Sequence, residues 1–142
     1  MPNDAPALHA ELDIPGIVSL VDRFYDKVRA DDHIGPVFNA VIEDWTVHKN
    51  LLTSFWCSVA LRVGTYRGNP LAMHKPLGIN RTHFARWLAL WRETVPEIFA
   101  EEPAARMIEY AERIGRGMRM GLGIGDRPRG RELGVPIRMV QP

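Results

Sequence analysis

Four stretches of the chain repeat their apolar residues every three to four positions, and each gives way to a cluster of Gly, Pro, Asn or Asp. That period puts a stripe on one side of an α-helix, whereas a half-buried strand needs strict alternation, which no stretch sustains. The fold class is therefore all-α. In the first stretch Ile17, Val18, Val21, Phe24, Tyr25 and Val28 share a face, with Asp13 as N-cap and Pro15 tolerated in the first turn, and the helix runs to about Ala30. Asp31-Asp32-His33 stops it and leaves His33 as an exposed turn residue; Ile34-Gly35-Pro36-Val37-Phe38 follows as a turn and a short helical piece carrying an apolar plug. Trp45, His48, Leu52, Phe55, Val59 and Val63 form the stripe of a second long helix, from about Glu43 to Val63. Gly64 and the Tyr66-Arg67-Gly68-Asn69-Pro70 run end it. Only a turn fits before Lys75-Pro76, so His74 is expected in a loop-like excursion. Asn80 can cap a third helix with Phe84, Trp87, Leu88, Trp91, Val95 and Ile98 facing inward and Pro96 near its end. A fourth, starting near Pro103, carries Met107, Ile108, Ala111, Ile114 and Met118.

This pattern divides the chain into a flexible arm over residues 1–12, one helical domain over residues 13–120 and a Gly/Pro/Arg-rich tail over residues 121–142. At 142 residues and 46% hydrophobic composition there is material for one sizeable core. The net charge of +1 provides no broad electrostatic case for nucleic acid or an anionic membrane, and neither is expected as a partner. Charges interrupt the apolar stretches well short of the ~20 residues that span a bilayer. A single cysteine, Cys57, cannot form an internal disulfide, and the N-terminal stretch lacks the order of a signal peptide, so a cytoplasmic location is expected.

Five histidines invite a metal reading, yet none pairs with another His or a Glu at the helical spacings that hold zinc. Cys57 follows His48 by nine residues, roughly 180° around one helix at ~100° per residue, so the two cannot share an ion. Cys57 has no sequence mark of activation and reads as a small buried thiol. What stands out is one histidine on a long helix, one in the excursion after it, and a Tyr and a Trp on neighbouring apolar stripes. Two such histidines can face each other across a flat ligand, and a haem needs an apolar slot, one neutral nitrogen donor on its iron and few polar groups opposite. On spacing alone a lone stripe histidine is more often a hydrogen-bonded core residue, and a Trp or Tyr stripe more often packing.

The strings Phe24-Tyr25-Asp26-Lys27-Val28-Arg29, Gly35-Pro36-Val37-Phe38-Asn39, Trp45-Thr46-Val47-His48, Phe55-Trp56, Tyr66-Arg67-Gly68-Asn69-Pro70-Leu71-Ala72-Met73-His74 and His83-Phe84-Ala85-Arg86-Trp87-Leu88 resemble group III truncated haemoglobins in order and spacing. Together they cover about Ile14 to Met120. Groups I and II carry paired glycines near helix ends, and this chain has no Gly-Gly pair. It departs from the pattern in its arm, its tail and a compact segment between His74 and Trp87.

The resemblance implies a two-over-two helical sandwich enclosing haem b, with His74 as the iron ligand. It implies Tyr25, His48 and Trp87 as polar distal residues and Phe24, Phe38, Leu52 and Phe55 as apolar walls, with Tyr66 and His83 as candidates for the haem edge or propionates. It further implies small ligands such as oxygen, nitric oxide, carbon monoxide or peroxide, and a reductase whose identity the sequence does not give. Redox chemistry is expected rather than oxygen delivery. The alternatives are a peroxidase-like or nitric oxide detoxifying enzyme and, more remotely, a helical interaction protein without cofactor.

Overall fold

The computed structural model describes residues 7–63, 74 and 78–124. Within them the chain forms α1 (Ile14–Ala30), the short α2 (Gly35–Asn39), α3 (Trp45–Ala60), α4 (Arg81–Ile98) and α5 (Glu101–Gly121). The expected tail lies outside the described residues beyond Ile124, and Tyr66 lies outside them as well. The one β feature among them is an isolated parallel bridge between His9 and Phe99. The architecture is the two-over-two helical sandwich. α1 packs on α3 and on α4, α4 packs on α5, α2 folds back on α1, and α3 meets α5 only marginally.

Two caps sit where the sequence places them, at Asp13 and Asn80, and a third falls on Asp44, just inside the expected start of its helix. Asp13 accepts the Gly16 N–H, Asp44 accepts the Val47 N–H, and Asn80 accepts the N–H groups of Thr82 and His83. Each satisfies a donor that the first turn of a helix leaves without an intrahelical acceptor. α3 is shorter than its apolar stripe suggests, running from Trp45 to Ala60, and Val63 beyond it is exposed. On α1 the buried face is Ile17, Leu20, Val21, Phe24, Tyr25 and Val28, whereas Val18 points to solvent. The 3.6-residue period admits either neighbour of Ile17 and Val21, and packing against α4 selects Leu20.

The arm expected to be flexible is tied down in its described part. The His9 N–H donates to the Ile98 carbonyl at 2.9 Å and the Ala100 N–H donates to the His9 carbonyl at 2.8 Å, clipping the chain to the α4–α5 corner. The His9 ring lies 5.8 Å from that of Phe99. Phe99 in turn presses so closely on Gly16 that an added Cβ would stand 2.7 Å from its ring, so only glycine fits there. These are backbone and ring contacts with residues nearly ninety positions away, which a local period does not report.

A polar clamp joins the end of α1 to the start of α4. Asp31, largely buried, accepts the N–H groups of His33 and Ile34 at 3.0 Å each and pairs with Arg86 at 2.7 Å. Burial pushes its carboxyl up, but the hydrogen bonds from Ile34, Arg86 and His33 outweigh that and hold it below the usual carboxylate range. A depressed carboxylate stabilises the fold above its unfolded pKa and loses that contribution as pH falls through the folded one. Asp31→Asn should therefore cost about 1–2 kcal/mol at pH 7, and the deficit against the parent should shrink as the pH drops below about 4. Urea unfolding at a series of pH values measures both.

Candidate functional site

α3 carries two apolar faces. Cys57 packs in the core, while His48, Leu52 and Phe55 line a cleft of about 420 Å³ bounded by α2, α3, α4 and α5, and Trp56 belongs to both, buried in the core and lining the cleft. That volume is in the range of small-molecule and cofactor sites. The walls are aliphatic and aromatic: Ile34, Val37 and Phe38 from α2 and its approach, Leu51, Leu52 and Phe55 from α3, Phe84 and Trp87 from α4, Ile114 and Met118 from α5. Among the described residues the polar members are Tyr25, His48, His74 and His83, besides the Trp87 indole N–H. Val41 and Leu51, 50% and 48% exposed, are large apolar side chains that the fold leaves uncovered along this cleft. Such a contiguous apolar surface marks a place where something else docks.

His48 and His74 both line the cleft. Burial and the charge of His74 hold the His48 imidazole below the ordinary histidine range, which keeps it neutral at pH 7. His74 itself has helical backbone, not the loop-like one expected from its short segment. Tyr25 is 4% exposed, and burial pushes its hydroxyl above the ordinary range while a hydrogen bond from the Trp87 side chain opposes the rise. The hydroxyl thus stays protonated, accepting from the indole N–H and keeping its own proton to donate. Tyr25 also lies edge-on to His48, with centroids 6.2 Å apart.

The expected wall residues divide. Phe38, Leu52 and Phe55 line the cleft, but Phe24 does not. Phe24 is fully buried behind Tyr25, edge-on to Tyr25 at 4.6 Å and to Trp91 at 4.8 Å, so it supports the site from the core. Its neighbour in sequence turns to the cleft, and a shared stripe cannot distinguish the two. His83 lines the cleft and is also a structural cap. The Asn80 N–H donates to its Nδ1 at 2.9 Å, completing a capping box, and its ring stacks on His33 with centroids 4.6 Å apart. Burial, then the His33 charge, push the His83 imidazole below its usual range. Cys57 is a buried thiol whose pKa burial raises, in keeping with a structural role.

Sequence reasoning did not single out Gly115, yet it faces the Trp87 ring, and a Cβ there would stand 3.8 Å from it. A methyl group there would sit in ordinary van der Waals contact with the indole, so Ala would fit while anything larger would press on the ring. The signal was a glycine in mid-helix on the stripe of Ala111, Ile114 and Met118, a position that otherwise costs stability.

The chain matches the bacterial-like globin family over residues 13–118. It is 35% identical over 103 residues to a group 3 truncated haemoglobin of Campylobacter jejuni, a stretch covering 69% of this chain and 81% of that protein. The crystal structure of a group III truncated haemoglobin from Campylobacter jejuni is similar to this fold with a TM-score of 0.78 at 30% identity, covering 82% of this chain and 95% of that one.

Because Leu52 on the cleft wall is only partly buried while Phe24 is fully buried, truncation should separate the two. Leu52→Ala should cost the ligand-free protein about 1 kcal/mol and Phe24→Ala about 3–5 kcal/mol, compared by urea denaturation. Equal costs would mean that the cleft closes on itself in solution.

Proposed function

Since the chain belongs to the bacterial-like globins, and among them to the group III truncated haemoglobins, we propose that it binds haem b in the cleft between α2 and α5, with His74 on the iron. The observation that carries this reading is the pair His48 and His74, both lining one apolar cleft. The residues fit the group: aliphatic and aromatic walls for the macrocycle, a neutral nitrogen donor for the metal and a hydroxyl on the polar side. Haem, when bound, supplies an iron that takes diatomic ligands or peroxide and exchanges single electrons with a reductase.

The chain's own residues set what such a ligand meets. Trp87 holds the Tyr25 hydroxyl through its indole N–H, so the hydroxyl proton is free to point at a polar ligand. In a dry pocket this preorganised donor needs no rearrangement to act, and a hydrogen bond to a polarised group is worth about 1.5–3 kcal/mol. Retention of that size suits chemistry on the ligand better than its delivery. Turnover of peroxide or nitrogen oxides is the second reading, and the neutral His48 favours it, because an imidazole in that state can accept a proton. No helix among the described residues is long and apolar enough to cross a membrane.

Two experiments test these assignments. The purified protein should show a Soret band and bind one haem per chain, and His74→Ala should lose stable haem while keeping the far-ultraviolet circular dichroism of the apoprotein. A parent-like ferrous spectrum in that variant would remove His74 as ligand. Tyr25→Phe should speed oxygen release about ten- to a hundredfold, the rate equivalent of one such hydrogen bond. Because Trp87 acts partly through Tyr25, adding Trp87→Phe should cost less than the sum of the single effects. An additive pair would mean that the two side chains act independently.

A further inference from the structure

Away from the cleft, a groove of about 320 Å³ runs between α1 and α3. Its inner wall is Trp45. That indole lies 5.4 Å from the His48 ring and 6.2 Å from the Tyr25 ring, centroid to centroid, and both of those line the cleft. This half-buried side chain therefore stands between a solvent groove and the polar end of the cleft. Trp45 is the first residue of α3 and follows the exposed Glu43 and Asp44, so its ring has fewer neighbours to restrain it than the fully buried Trp56 and Trp91.

The Arg29 guanidinium sits over the Trp45 ring, 5.0 Å from its centroid. Arg29 stands on a fixed base. Its carbonyl accepts from the Asn39 side chain at 3.1 Å, and Gly35 packs so closely that an added Cβ would lie 2.8 Å from that oxygen. One turn along α3, Lys49 bridges Asp22 and Asp26 of α1 at 2.8 and 2.7 Å, which holds the two helices together below the ring. The groove carries two cations, Arg29 over the ring and Lys49 matched by Asp22 and Asp26, and neither obstructs a small uncharged molecule.

We propose that Trp45, latched by Arg29, is a gate through which small uncharged diatomic ligands pass between the α1–α3 groove and the cleft at Tyr25 and His48. The proposal rests on the reading of the cleft as a haem site. Arg29→Met keeps the aliphatic stem and removes the cation. In the haem-loaded protein it should raise carbon monoxide association after flash photolysis about two- to fivefold, the population shift expected when a surface cation–π contact is lost. Trp45→Ala should raise association about tenfold or more, with carbon monoxide dissociation rising by the same factor in each variant and the equilibrium affinity unchanged, because a gate lowers the barrier in both directions. In the haem-free protein, acrylamide should quench tryptophan fluorescence more strongly in Arg29→Met than in the parent. Unchanged association in both variants overturns the gate, and so does a change confined to dissociation, which would make Trp45 a support for Tyr25. A parent protein without a Soret band would instead overturn the haem reading, and unchanged quenching would still overturn the latch.

Discussion

Trp91 is the side chain on which the helical arrangement turns. Its ring is fully buried, stacked on Trp56 of α3 at 4.4 Å and met edge-on by Phe24 of α1 at 4.8 Å, and its N–H donates to the Met107 carbonyl of α5 at 3.0 Å. One residue of α4 thus touches the three other long helices. An indole carries a large apolar area and one donor that is costly to bury unpaired, so it fixes both distance and orientation where a Leu would fix only distance. With Trp56 held here, the adjoining face of α3, with His48, Leu52 and Phe55, is presented to the cleft, which Trp56 lines as well. The cleft follows from the core.

The sequence made the helices legible because their signals are local. Asp13, Asp44 and Asn80 act within three residues of themselves, and the stripes of α1, α4 and α5 repeat within each helix. Long-range relations were not legible. Nothing near Val18 says that Leu20 takes the buried position, and nothing near His9 says that Phe99 receives it. The site residues were found by resemblance more than by spacing: Tyr25, His48 and His74 line one cleft, but so do Ile114, Gly115 and Met118, which resemblance did not single out. Phe24 marks the limit of a stripe argument, since adjacent positions 100° apart on a helix can serve a core and a cavity respectively.

Charge is distributed according to the same division. Apart from the Asp31–Arg86 clamp, the ion pairs that join helices lie at the surface, with Lys27 on Glu93 and Glu97, Lys49 on Asp22 and Asp26, and Arg92 on Glu112. Exposed pairs of this kind contribute little each and are screened by salt, so they select register more than they set stability. Inside the cleft no described residue carries a fixed charge. The polar groups there are a protonated phenol and imidazoles, of which burial pushes those of His48 and His83 toward the neutral form. A neutral site of low dielectric strengthens whatever dipoles a ligand brings, without a competing ion to attract the hydroxyl away.

The apolar cleft also couples binding to stability. Val41 and Leu51 stand about half exposed, and Leu52 and Phe55 are only partly covered, so the folded chain without a ligand leaves part of its hydrophobic surface in water. Covering apolar area is worth roughly 25 cal/mol per Å², and a ligand that binds only the folded chain adds its own free energy to folding. The walls are contributed by α2, α3, α4 and α5, and three of those four are tied together through Trp91. A flat apolar ligand in the cleft would therefore extend the core, joining the same helices through the face of α3 next to Trp56.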